Sequence, residues 1–306
     1  MYMLEEEPHC KYVSSRGILK SCDFRSCIPC SSVHIVLTAD YNDFSHLKHG
    51  DTIYICSSAV NDFVHNVLPN IKKRFILVTG DSDADIPNEV LVEQDFKQLI
   101  ENKYLIVWFS QNLVMSPHHI PKLQYLPIGL DYHTMSSREM EWGARASPLT
   151  QEKILLSAIS KAPPLLSRKP IAYTTFHFAI HRGGRIDAYE QIPKDLVYYE
   201  PTQVTRIVSW KRQTEYAFVV SPQGEGIDCH RTWEALCLGC IPIVISSPLD
   251  DMFADLPVLI VKSWSDVTRE LLDKTIREYS TREFNKEKLT LKYWMDKIHS
   301  YKPASK

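Results

Sequence analysis

Short β-rich apolar runs alternate with helical patterns along most of the 306-residue chain, in two series separated by a polar stretch. Runs at 33–37, 52–56, 74–79, 104–109 and 123–128 read as five strands, with a helix at 58–68 between the second and third. None alternates strictly between polar and apolar residues, so both faces of each strand are expected to be covered, as in a parallel sheet. The polar segment 136–147, with Gly143 and Pro148 near its end, reads as a link. Beyond it, strands are expected at 170–176, 196–199, 216–220, 241–245 and 257–261, and helices at 151–161, 185–191, 203–211, 228–238 and 265–279. The pattern predicts an α/β chain of two Rossmann-like, doubly wound domains, residues 1–147 and 148–306, facing across a cleft. A last amphipathic helix at 283–301 fits against either domain, including back onto the first.

Composition narrows the function classes. Hydrophobic residues at 44% and charged residues at 24% are those of a soluble globular chain. With 35 basic and 37 acidic residues and no Lys/Arg-rich block, a nucleic-acid partner held by phosphate contacts is excluded. The acidic N-terminus has no apolar stretch after it, and the longest apolar runs fall far short of the ~20 residues of a membrane helix. A cytoplasmic protein with no membrane span in this chain is expected. Of eight cysteines, Cys22, Cys27 and Cys30 form a C-x4-C-x2-C cluster with Cys10 upstream. A second paired motif is missing, so free thiols are expected, with zinc or a disulfide left open.

The most informative stretch is YAFVVSPQGEGIDCHRTWEALCLGCIPIVISS, residues 216–247. A strand ends at Val220, a loop carries Gly224 and Gly226, and a helix is expected from about Asp228. Glycines let backbone N–H groups approach an anion, and the helix N-terminus adds unpaired donors and its dipole. Diphosphate is the natural guest. On the helix, Asp228, Arg231 and Glu234 recur every three residues and share roughly one face. Glu234, about 9 Å along the axis, has the reach to accept the two hydroxyls of a ribose. An N-cap Asp followed by an ordinary surface ion pair is the competing interpretation. A nicotinamide-dinucleotide fingerprint is incomplete, because Cys229 stands where the third glycine belongs.

The run GIDCHRTWEALCLGCIPIV resembles the C-terminal signature of the exostosin-like glycosyltransferases, especially compact forms encoded by large DNA viruses. Weaker similarity extends to FILVTGDSDADIP, to WFSQN and to LPIGLDYH, residues 126–133. The resemblance implies a GT-B fold, a UDP-sugar donor held mainly by the second domain, and inversion at the anomeric carbon. Carried over by position, Glu234 holds the ribose, while Gly224, Gly226, Asp228, His230 and Arg231 surround the donor, with Ser221 at the loop's entry. The chain lacks the stem and second module of the animal exostosins, which favours transfer of a single sugar to a glycan hydroxyl.

The group His181-Arg182-Gly183-Gly184-Arg185 suits a diphosphate that becomes more negative as it leaves; Arg185 is favoured over Arg182, with a solvated loop as the alternative. The acidic loop 79–85 follows a strand of the first domain, and Asp83, then Asp81, then His133 are the candidate general bases. Turn chemistry explains those aspartates equally well. Gln111, Asn112 and Asp131 are candidate acceptor-binding residues. No metal or other cofactor is expected. An alternative reading makes Asp81 and Asp83 the Mn²⁺ site of a GT-A-like transferase, and a second makes the chain a non-catalytic nucleotide-sugar or glycan binder.

Overall fold

Two separate all-parallel sheets carry the chain in the computed structural model, which describes residues 6–25, 44, 46–138, 140 and 142–303. The predicted strand at 33–37, Cys27 and Cys30 lie outside the described residues. The described residues fall into two compact units, one of 6–8, 13–128 and 291–303, the other of 9–12 and 129–290.

The first sheet runs β1 (Asp51–Cys56), β2 (Phe75–Gly80), β3 (Leu105–Ser110) and β4 (Leu123–Tyr125), in sequential order. Its middle strands are buried on both faces, as their unbroken apolar runs require. The fourth strand ends earlier than expected, two residues before Pro127, whose ring nitrogen cannot donate to a ladder. The helix expected at 58–68 is instead a chain of short turns of changing pitch, Ser57–Ala59, Val60–Asp62, Phe63–Val67 and Leu68–Asn70. Helices Ser15–Ser21 and Glu93–Glu101 are further elements beyond those expected; the first is capped by Ser14 Oγ, which accepts from Gly17 N at 3.0 Å.

The second sheet comprises β5 (Lys169–Thr174), β6 (Val197–Tyr199), β7 (Tyr216–Val220), β8 (Ile241–Ile245) and β9 (Leu259–Val261), in spatial order β6-β5-β7-β8-β9. That is the doubly wound order 2-1-3-4-5, and the winding reverses between β5 and β7. Helices Arg185–Gln191, Arg206–Gln213 and His230–Cys237 connect its first four strands. Ala172, Phe218, Ile243 and Trp264 belong to its apolar core. In such sheets ligands bind beyond the carboxyl ends of the strands at the reversal point. Both units are Rossmann-like, the pair of domain folds that a GT-B chain comprises.

The division between units falls at 128/129 rather than at 147, so the segment 129–147 groups with the second sheet. The expected helix at 283–301 is interrupted by Thr290, which is extended and pairs antiparallel with Tyr12. Its second half, Leu291–His299, groups with the first unit, against the Ser15–Ser21 helix. No helix among the described residues is long and apolar enough to cross a membrane. The described cysteines are thiols, and Cys22 is buried with its sulfur 3.4 Å from Ile18 O.

Within the second unit, Glu152 of the Pro148–Lys161 helix is buried and ties down the segment 9–12. Its carboxylate accepts from Lys11 N at 2.9 Å, Tyr12 N at 3.0 Å and the Tyr132 hydroxyl at 2.9 Å. Glu152→Ala strands these donors, and an unpaired buried group costs ~1–3 kcal/mol. A loss of about 2–4 kcal/mol is expected, read as a lower urea midpoint at unchanged slope. An unchanged midpoint would remove Glu152 as an anchor.

Candidate functional site

At the end of β7 the chain leaves the sheet through a tightly held loop. Ser221 N donates to Ile243 O at 2.9 Å, and Ser221 Oγ lies 2.8 Å from Thr232 Oγ1, so Ser221 buttresses the loop against its helix. Gly224 N donates to Gly226 O at 3.2 Å. The helix starts at His230, two residues later than expected. Asp228 therefore does not share a helical face with Arg231 and Glu234. Its buried carboxylate accepts from Trp233 Nε1 at 2.9 and 3.1 Å, which corrects its expected place around the donor.

The loop after β5 meets the loop after β7. Gly183 has φ +49°, and a Cβ there would lie 2.2 Å from Gly224 O and 2.7 Å from Gln223 O. Only glycine fits a backbone approach this close. Arg185 opens the next helix, with Nη1 donating to Ala179 O at 3.0 Å and its buried Nε without a partner among the described residues. A Cβ on Gly224 would be 3.5 Å from Arg185 Nη2, so the guanidinium borders the glycine loop. Arg231 donates to Pro222 O at 3.2 Å. Burial, and next Arg231, push the Arg185 guanidinium down to about 10, and burial also lowers Arg231. Both stay cationic at neutral pH, and neither has a carboxylate ion-pair partner among the described residues. Arg182 is exposed and lies 3.9 Å from Glu225, a surface pair of little energetic weight.

A second cluster lies beside the same helix. Asp131 is 2.8 Å from Arg206 Nη2 and 3.2 Å from His133 Nδ1, and it accepts from Thr134 N at 2.9 Å. Arg206 also reaches Glu234, Nε to Oε1 at 3.4 Å, and it carries Trp142 with ring centroid 5.7 Å from its guanidinium carbon. Burial favours a neutral Asp131, yet His133, Arg206 and His230 outweigh it and hold the carboxyl well below the usual range. His230 Nδ1 lies 2.7 Å from Gly129 O. A carbonyl only accepts, so this nitrogen carries the proton and Nε2 is the acceptor of the neutral ring. The His133 and His230 rings are 6.0 Å apart. Thus Asp131 and His133, expected on the first domain, lie in the second unit beside the donor-type helix.

The first unit holds the other sequence candidates. Asp81, at φ +64°, has a buried side chain with Oδ2 3.2 Å from the Arg16 guanidinium, and its N–H donates to Gln111 Oε1 at 3.0 Å. Gln111 has no exposed surface and donates through Nε2 to Pro127 O at 3.0 Å; Asn112 is likewise buried and donates to Ser82 O at 2.9 Å. Both amides brace the loops after β2 and β3, which corrects their reading as acceptor ligands. Asp83 is exposed. Among the described residues, no group of three or more His, Cys, Asp or Glu side chains could hold a metal ion. Sequence reasoning missed Arg206 and Arg16, whose partners are distant in the chain.

No family model matches the sequence, and a search of curated proteins finds no relative. Among solved structures, the catalytic domain of starch synthase IV from Arabidopsis thaliana, bound to ADP and acarbose, is similar over 84% of this chain and 70% of that one. The identity is 10% and the TM-score 0.33. A likeness this distant assigns no activity, and the exostosin-like resemblance rests on its motif residues alone.

Proposed function

We propose that the chain is a GT-B glycosyltransferase of exostosin-like type that moves one sugar from a UDP-sugar to a glycan hydroxyl with inversion and without a metal. The observation that carries this reading is the pair Arg185 and Arg231, two cations in no close carboxylate ion pair among the described residues, at touching glycine loops on the reversal point of the second sheet. Such a site suits a diphosphate, whose charge rises as the sugar–oxygen bond breaks. Glu234, oriented by Arg206, takes the ribose.

His133 serves as the general base. It removes the acceptor hydroxyl proton as that oxygen bonds to the anomeric carbon and the nucleoside diphosphate leaves from the opposite face. Asp131 orients the imidazole and stabilises it once protonated. His133 is preferred to Asp83 because it lies beside His230 of the donor helix, and to Asp81 because that carboxylate is buried against Arg16.

Turnover with a panel of UDP-sugars, in EDTA, tests the reading. His133→Ala is expected to keep UDP affinity and lower turnover by ~10²–10⁴. Full turnover in His133→Ala with loss in Asp83→Asn moves the base to the first unit. Loss in EDTA with recovery in Mn²⁺ contradicts the metal-free reading.

A further inference from the structure

The turn after β5, Phe176–Ala179, and the carboxyl end of β6 hold an aromatic group that the diphosphate site does not use. Thr174 pairs with Tyr199 across the two strands, so both segments open at the ligand-binding edge of the sheet. His177 lies 5.4 Å from the Tyr199 ring and 4.2 Å from the Phe178 ring, centroid to centroid. Phe178 is 42% exposed.

Two buried polar atoms in this group have no hydrogen-bond partner among the described residues, His177 Nδ1 and the Tyr199 hydroxyl. His177 Nε2 lies 2.9 Å from Glu200 O. Because the carbonyl only accepts, Nε2 carries the proton and Nδ1 is left as an acceptor. Burial pushes the Tyr199 hydroxyl up to about 12, so it remains a donor at neutral pH. One unfilled acceptor thus stands beside one unfilled donor, and leaving such buried groups unpaired is costly. Tyr189, the other exposed ring, has Lys194 Nζ 3.3 Å from its centroid, so Phe178 is the ring with room for a stacking partner.

We infer that this group is the nucleobase site of the donor, with His177 Nδ1 and the Tyr199 hydroxyl reading the base's polar edge and Phe178 against its face. This rests on the nucleotide-sugar reading above. Pyrimidine and purine edges place an N–H donor next to a carbonyl or ring-nitrogen acceptor, the complement of the two orphan atoms. The position also fits the length of a nucleotide. Arg185, near the diphosphate, bonds to Ala179 of this same turn, and β6 lies two strand spacings, about 10 Å, from β7.

Calorimetric titration of the parent, Phe178→Ala and Tyr199→Phe with UDP and with inorganic pyrophosphate tests the inference. Phe178→Ala is expected to weaken UDP by about 5- to 100-fold, the range for losing one base–aromatic stack. Tyr199→Phe is expected to weaken it by about 10-fold. Pyrophosphate affinity stays the same in both. Unchanged UDP affinity in both variants, or parallel losses of UDP and pyrophosphate, overturn the base site. A parent that binds pyrophosphate as tightly as UDP overturns it and leaves the diphosphate reading standing. A parent that binds neither overturns the nucleotide-sugar reading itself.

Discussion

Arg206→Ala is expected to lower stability by about 3–5 kcal/mol, the cost of removing one partner from a buried ion pair. The guanidinium is shared by Asp131 and Glu234, both largely buried, so its loss removes a charged partner from two carboxylates at once. For a chain of this size that corresponds to a fall in Tm of about 6–20 °C, read by calorimetry. The parent should show the matching pH dependence. Asp131 is held below its unfolded value, so its contribution is full above a pH of about 4, where the unfolded carboxyl is ionised, and is lost as pH falls below that. Arg206→Ala should flatten that acid limb. A variant with the parent's Tm and acid limb would show that Asp131 and Glu234 do not depend on Arg206.

Gly183→Ala is expected to lose about 10²-fold in donor affinity, the scale of effect when a positioned group is displaced by an ångström. The added methyl would stand 2.2 Å from Gly224 O, at a φ of +49° that L-residues rarely adopt. One of the two loops must move, and Arg185 borders both. The neighbouring Gly184 is the control, because a Cβ there meets nothing within 4 Å. Gly184→Ala should bind UDP like the parent. Equal affinities in all three proteins would show that the loop apposition does not shape the site.

The sequence made the second sheet legible strand by strand. Buried-type runs at 216–220 and 241–245 have the same limits in the structure because Ala217, Phe218 and Ile243 pack on both faces. Local signals failed where a distant partner decides the outcome. Asp228 looks like an N-cap, but its carboxylate goes to the Trp233 indole, and the helix starts later. Arg206 opens a helix like any surface cation, yet it closes on Asp131, 75 residues away. Gln111 and Asn112 follow a strand at a ligand-binding edge, which made them candidates, but their amides are consumed inside the loops. The polar stretch 136–147 reads as a link, whereas Trp142 O accepts from Arg206 N at 2.8 Å and fastens it to the second unit. His177 and Tyr199 carry no periodic signal that separates a lined site from core.

A diphosphate held between Arg185, Arg231 and the glycine loops must lose affinity when one of those cations is removed. Calorimetric titration of UDP into the parent and into Arg185→Ala, with EDTA present throughout, measures that loss. The expected result is saturable binding by the parent and a weakening of about 10- to 100-fold in the variant, from ~1.5–3 kcal/mol for a hydrogen bond to a charged group. Equal UDP affinity in the two proteins, or no binding by a folded parent, would contradict it.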